Sequence, residues 1–189
     1  MNLSNKLFFL FKNDRCELRG ITPDDVTSDY VNGLIDQQEY LLNRQTTIES
    51  QREYVKNINE SDNDAIFGLF INGELIGTSG VQGLNGIVSI GIFIFKPEMR
   101  GKGYGKILVW ASCLLINKTF GYRYFFAGVK KDNVASWKAF MACGFSMTEK
   151  DGDYILTTDS LTSSKPRLPA ELKLVMAWQS TKQKLTILG

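Results

Sequence analysis

Pro97-Glu98-Met99-Arg100-Gly101-Lys102-Gly103-Tyr104-Gly105-Lys106 stands between an apolar run, Ile90 to Phe95, and a stretch of helical character, Ile107 to Lys118. A strand, a glycine-rich turn and a helix start in that order make a phosphate-binding geometry, because the first amides of a helix lack intrahelical partners and point outward. The glycine spacing narrows the ligand. A dinucleotide fingerprint or a kinase-type loop needs glycine three places after its second glycine, and Lys106 stands at that offset from Gly103. A Walker loop ends in Gly-Lys-Ser/Thr, which is absent here. What remains is Arg100-x-x-Gly103-x-Gly105, in which small residues let successive N–H groups curl around a diphosphate while the helix dipole favours its charge. Plain turn chemistry between a strand and a helix would account for the same glycines without a ligand.

The rest of the composition bounds the chemistry. At 189 residues, 43% hydrophobic and 22% charged, the chain is expected to form one ordinary domain. Its 22 basic and 20 acidic residues leave a net charge of +2, which gives no footprint for nucleic acid and favours a small-molecule partner. Cys16, Cys113 and Cys143 show no metal-like spacing and fit free thiols in a reducing compartment. The run Leu7 to Phe11 is too short for a membrane span, and no small-residue cleavage site follows it, so a cytoplasmic protein is expected. The chain has no histidine, which removes the commonest general base and metal ligand, and with them Ser-His-Asp triads and most zinc sites. No metal is expected.

Along the chain, Leu7 to Phe11 and Cys16 to Arg19 read as two strands about a turn at Asn13-Asp14. Thr22-Pro23-Asp24-Asp25 reads as a helix start running on toward Leu34, and Asp36 to Arg44 as a short helix or loop. Thr46-x-x-Glu49 reads as a capping box for a helix that carries Ile48, Tyr54, Val55 and Ile58. Asn72-Gly73 is a hairpin signal between Ala65 to Ile71 and Glu74 to Val81, repeated by Asn85-Gly86 before a strand from Ile87 to Phe95. The helix after the glycine turn puts Ile107, Leu108, Ala111, Leu114 and Leu115 on one face. Tyr122 to Val129 is then a parallel strand reached by a crossover. Asn133 to Cys143 follows as a helix with Trp137, Phe140 and Met141 on one face and Gly144 as its C-terminal cap. Tyr154 to Thr158 and Leu172 to Trp178 are late strands either side of a Ser160 to Pro169 loop, and Ser180 to Gly189 reads as a frayed tail.

Strands, Arg100-x-x-Gly103-x-Gly105, helix, strand, then Asn133-Val134-Ala135-Ser136 and Cys143-Gly144-Phe145 form a constellation that resembles the GCN5-related N-acetyltransferases (GNAT superfamily). The Ile90-Gly91-Ile92-Phe93-Ile94 strand and the early helices resemble the branch related to ribosomal-protein N-terminal acetyltransferases, which also contains enzymes of polyamines, aminoglycosides and amino sugars. Tyr30-Val31, Thr47-Ile48-Glu49 and Tyr54-Val55 are similar to members of surface-polysaccharide sugar pathways. The resemblance implies an α/β (α+β) fold in a single domain, residues 1–189 with a core over 16–178. A mixed sheet of about six to seven strands would be flanked by about four helices.

It also implies acetyl-CoA as cofactor. Backbone groups of Phe93, Ile94 and Phe95 would pair with the pantetheine arm like an added strand, and amides from Arg100, Gly101, Lys102, Gly103, Tyr104, Gly105 and Lys106 would hold the diphosphate. Lys96, Arg100, Lys102, Lys130 and Lys131 would offset the remaining phosphate charge, and Asn133 would touch the pantetheine region or simply cap its helix. The reaction implied is attack of a neutral amine on the thioester, with the oxyanion held by an amide near Phe93 or Ile94.

The sequence departs from the family at its proton carriers. Phe140 stands where many members have a tyrosine acid, and Ser89 where related enzymes place glutamate. Ser89, Glu39 or Asp36 acting through water are the substitutes, with an acyl-cysteine at Cys143 as a remoter route. Tyr30, Glu39 and Arg44 are the candidate contacts to the acceptor, a primary amine of an amino sugar or sugar nucleotide, or a protein N-terminus. A module that binds acyl-CoA without turnover is the alternative, since fold does not fix function. The late strands are candidates for pairing in a homodimer.

Overall fold

Asn72 and Gly73 hold φ values of 53° and 80°, the left-handed pair that a two-residue hairpin turn needs. They join β3 (Ala65–Ile71) to β4 (Glu74–Gln82) as the sequence predicts. The computed structural model describes residues 7–11, 16–40, 46–84, 86–158 and 174–178. Arg44, the turn at Asn13-Asp14, Asn85, the Ser160 to Pro169 loop and the tail from Ser180 lie outside them.

The other strands are β1 (Leu7–Phe11), β2 (Cys16–Gly20), β5 (Val88–Ile94), β6 (Phe125–Lys130), β7 (Ser146–Lys150), β8 (Asp153–Thr158) and β9 (Leu174–Trp178). All nine form one mixed sheet in the order β7-β8-β6-β5-β4-β3-β2-β1-β9. Every neighbouring pair is antiparallel except β5 and β6, which are parallel, as the crossover through a helix requires. The α/β class with four flanking helices is the expected one. β7 is a strand absent from the residue-by-residue reading of the sequence. Its hairpin signal was present: Asp151 and Gly152 hold φ of 53° and 88°, an Asp-Gly turn of the same left-handed kind.

The helices are α1 (Ser28–Asp36), α2 (Ile48–Glu60), α3 (Tyr104–Phe120) and α4 (Val134–Met141). Two starts differ from expectation. Thr22 opens only a single 3-10 turn, Pro23–Asp25, because the Asp25 carboxylate folds back to accept from Thr22 N (2.8 Å) and from Arg19. Val26 then runs extended into the core, and Thr27 caps α1 by accepting from Tyr30 N. In α2 the cap is Thr47 rather than Thr46, with Thr47 and Ser50 bonding each other's backbone N–H reciprocally.

Alternation along the strands divides the core in two. Phe67, Leu69, Val81, Val88, Ile90, Phe125 and Leu156 face α3 and α4, whereas Ile66, Phe70, Leu75 and Phe95 face α1 and α2. The α3 helix is buried on more sides than one stripe, since Val109, Trp110, Ser112, Cys113 and Ile116 join the expected residues inside. In α4, Phe140 is buried and Trp137 packs partly, but Met141 points outward, 42% exposed, and so leaves the predicted face. Gly144 closes that helix at φ 88° as expected. Among the described residues no helix is long and apolar enough to cross a membrane.

Candidate active site

The parallel pair opens as it runs. β5 and β6 are in register only at Val88 with Phe125 and Ser89 with Phe126. Beyond Ser89 the strands part into a wedge, while β5 stays paired to β4 as far as Ile94. Phe95 N–H donates to Ile76 O (3.2 Å) on β4, so by alternation Phe93 and Phe95 turn their N–H groups to β4, and Ile92 and Ile94 turn theirs into the wedge. The sequence reading of Phe93, Ile94 and Phe95 as one row of partners therefore resolves into alternate residues. Ile92 was missed, because strand parity is set by a neighbour that the local sequence does not specify.

At the wide end of the wedge the chain turns through Lys96 into a 3-10 turn, Pro97–Met99, and then the glycine loop. Arg100 N–H is spent on Pro97 O (3.1 Å) and Lys106 N–H on Gly103 O (3.1 Å). The amides of Gly101 to Gly105 have no backbone partner among the described residues, so the outward row is shorter than the Arg100 to Lys106 span expected. Gly101 and Gly103 sit at φ 74° and 90°, where side chains are strained. A Cβ added at Gly103 would meet nothing within 4 Å, so the loop has room above it. Gly105 instead lies close to Ile92 and Ala139, which seats α3 on the sheet.

The cations sort differently from the sequence expectation. The guanidinium of the exposed Arg100 folds back onto the end of β5, its Nε donating to Ile94 O (2.9 Å) and its Nη2 to Phe95 O (3.1 Å). Lys96 pairs with Glu74 and Asp29, and Lys131 with Glu149, while Lys130 donates to the Glu39 carbonyl. Lys102 and Lys106 have no ion-pair partner among the described residues, and they flank the outward amides. A shallow hollow of about 180 Å³ lies beside the end of β5, lined by Asp29, Asn32, Asp36, Lys96 and Glu98 among others. Among the described residues no group of three metal-ligating side chains converges.

The family model for the acetyltransferase (GNAT) domain matches residues 15–146, more than half of the chain. The chain belongs to the GNAT acetyltransferase family. No curated protein matches the sequence. Among solved structures it is similar to the ribosomal L7/L12 alpha-N-protein acetyltransferase RimL in complex with coenzyme A, at 18% identity and TM-score 0.67, over 80% of this chain and 98% of that one. It is also similar to the ribosomal-protein-S5-alanine acetyltransferase of Vibrio fischeri, at 18% identity and TM-score 0.65, over 82% of this chain and 98% of that one. The spermidine N-acetyltransferase of Vibrio cholerae, in complex with coenzyme A and spermine, matches at 16% identity and TM-score 0.64, over 77% of this chain and 94% of that one. At these identities the likeness is one of fold.

The GNAT frame places the remaining candidates. Asn133 caps α4, its Oδ1 accepting from Ser136 N (3.2 Å). Phe140 is 1% exposed with its ring edge-on to Phe145 at 5.0 Å. Ser89 lies half-buried at the last paired position before the wedge opens. Tyr30, expected near the acceptor, is 2% exposed, packs edge-on to Phe95 at 5.4 Å and points its hydroxyl at Gln51. Burial, then the neighbouring Tyr54, pushes its phenol above the usual range, so it is a core residue here. Cys143 is buried with its Sγ donating to Lys106 O (3.4 Å), and burial pushes its thiol up to about 12, which removes the thiolate an acyl-cysteine route needs. Glu39 sits in the 3-10 turn Gln38–Tyr40. Gln37 was not anticipated. Its Nε2 donates to Ile94 O (3.1 Å) across 57 residues of sequence, and no local pattern announces such a contact.

Proposed function

We propose that the chain is an acetyl-CoA-dependent N-acetyltransferase acting on a primary amine. The observation that carries this reading is the parting of β5 from β6 after Ser89, with the outward amides of Gly101 to Gly105 at the wide end of the gap. An acyl-CoA arm fits this place as a short extra strand, and its diphosphate suits the loop amides and the α3 dipole. Gln37 and Arg100 already fill the Ile94 carbonyl, so the arm would pair with the Ile92 carbonyl and the Ile94 N–H. Lys102 and Lys106 supply positive charge beside the diphosphate. The cosubstrate supplies an activated acetyl thioester. The protein's part is to align it with a neutral amine, stabilise the oxyanion with the wedge-facing amides of Ile92 or Ile94, and remove the ammonium proton.

With Phe140 sealed in the core and lacking a hydroxyl, no side chain there returns a proton to the departing thiolate. Ser89 and Glu39 remain the proposed carriers, through water, and the thiolate leaves mainly on its own acidity. The acceptor class we favour is an amino sugar or sugar nucleotide, with a protein N-terminus next. That RimL is an alpha-N-protein acetyltransferase and the Vibrio cholerae neighbour a spermidine N-acetyltransferase supports keeping both protein and small-amine acceptors in view. The buried Phe140 is also what favours the second reading, a module that binds acyl-CoA without turnover.

Thermal shift with acetyl-CoA tests the site, and no stabilisation well above micromolar concentration would refute it. A thiol-release screen over amino sugars, polyamines, aminoglycosides and N-terminal peptides then tests turnover. Silence across all four with proven binding would favour the non-catalytic module.

A further inference from the structure

One short segment touches both lips of the wedge. Gln37, the C-cap of α1, reaches Ile94 O on β5. One turn further, Lys130 at the end of β6 donates from Nζ to the Glu39 carbonyl and lies 5.9 Å from the centre of the Tyr40 ring. Between the two contacts Gln38–Tyr40 is a single 3-10 turn, closed by Tyr40 N–H donating to Gln37 O (2.9 Å). Because β5 and β6 run parallel and diverge, Ile94 and Lys130 lie at the wide end of the gap, and the segment together with the Lys130 side chain spans it. It crosses on one particular side. The α1 and α2 helices pack on the Phe95 face of the sheet, and α3, whose start carries the glycine loop, packs on the Ile90 face.

We propose that Gln37–Tyr40 is a strap that roofs the wedge on the face opposite the phosphate loop, fixed at Gln37 and releasable at Lys130. Gln37 and Lys130 are then positioning residues for acetyl transfer. This rests on the wedge being the place of the acyl-CoA arm. The two ends differ in what holds them. Gln37 has its own N–H bonded to Leu34 O and bonds a carbonyl that Arg100 also holds, in a part-buried setting. Lys130 is exposed and offers one ammonium to one carbonyl and one ring, contacts of the kind that water competes with well. The β6 end therefore opens first. Opened, the strap gives an amine a way in from the α1 face while the loop face stays with the cofactor. Closed, it keeps water away from the thioester.

The test is amide hydrogen exchange at Gln38–Tyr40 in the full chain for wild type, Lys130→Met and Lys130→Arg, with and without acetyl-CoA. In the free protein, Lys130→Met is expected to raise exchange at these amides about three- to tenfold while α1 and α2 keep their rates, and Lys130→Arg to restore it. Unchanged exchange in Lys130→Met overturns the releasable end. That arm contains no cofactor, so it fails or succeeds separately from the acetyl-CoA reading. With acetyl-CoA at a concentration where a thermal shift demonstrates binding, exchange at Gln38–Tyr40 slows in wild type. Binding without slowing overturns the roof, and absence of any thermal shift overturns both readings together. Amine-free release of the CoA thiol should rise several-fold in Lys130→Met, and an unchanged rate with altered exchange overturns the positioning role.

Discussion

Arg100 and Ile94 are joined by a hydrogen bond of 2.9 Å from Nε to the carbonyl, and Nη2 of the same guanidinium reaches Phe95 O at 3.1 Å. The arginine of the phosphate loop thus clamps the loop to the end of the strand that borders the wedge. Lysine has one point donor and cannot bridge two carbonyls in a fixed fork. Arg100→Lys is accordingly expected to weaken acetyl-CoA binding about tenfold, or ~1.4 kcal/mol, by loosening the loop while its amides stay in place. Calorimetric titration checks this, and wild-type affinity in the variant would show that the clamp has no bearing on the cofactor.

Gly103 and Gly105 separate binding from folding. At Gly103 a new Cβ meets no atom within 4 Å but stands on a backbone of φ 90°, so Gly103→Val costs the fold about 1–2 kcal/mol of conformational strain. Its larger effect falls on the diphosphate, whose approach the side chain blocks, and acetyl-CoA affinity should drop more than about a hundredfold. At Gly105 the added Cβ would already stand in contact, 3.4 Å from Ile92 Cδ1 and 3.6 Å from Ala139 Cβ, so it is the two γ-methyls of Gly105→Val that crowd this seat and should instead lower the melting temperature. Paired melting and titration curves decide it. Equal losses of both properties in the two variants would contradict this division.

The glycine loop, the Asn72-Gly73 hairpin and the Asn133 cap were legible because each is fixed by residues within a few positions of one another. The misread starts at Thr22 and Thr46 show where that locality fails. Asp25 reads locally as part of a helix start, but its carboxylate is committed to Arg19 on β2, a partner chosen by the fold. The site suffers more from this than the sheet does. Its wedge follows from where two strands stop pairing, and its strap from contacts across 57 and 91 residues. Neither leaves a periodicity or a spacing in the chain. Tyr30 was misplaced for a related reason, since an aromatic on an amphipathic helix reads alike whether it faces a pocket or a ring such as Phe95.

All three cysteines should be silent to thiol reagents in the folded protein. Cys16, Cys113 and Cys143 are buried, and burial pushes Cys16 and Cys143 up to about 12 and Cys113 well above the usual thiol range. At pH 8, Ellman's reagent should find no fast thiol, with three appearing on unfolding. Cys143→Ala should keep its turnover and lose about 1 kcal/mol of stability with the contact to Lys106 O. A fast-reacting Cys143, or a variant folded but inactive, would revive the acyl-cysteine route.

Arg19 and Asp25 make stability depend on acid in a stated direction. Burial alone raises the Asp25 carboxyl, but the Arg19 fork at 2.7 and 2.9 Å and the bond from Thr22 N outweigh it and hold it below the usual range. A group depressed in the folded state contributes its stability above the unfolded value, about 3.9 for aspartate, and loses it as the pH falls through the lower folded value. Asp25→Asn removes the ion pair and weakens the Thr22 turn, at a cost of about 1–2 kcal/mol given that the Arg19 side chain is 32% exposed. The gap between wild type and variant in urea unfolding should hold steady from about pH 5 to 8 and narrow progressively as the pH falls below the unfolded value of about 3.9. The guanidinium, 3.8 Å from the Phe70 ring centre, keeps its stacking in the variant, so β2 should stay in place and the loss should be confined to the turn that leads into α1. A gap that persists undiminished at pH 2.5 would mean that packing around residue 25, rather than its charge, holds that turn.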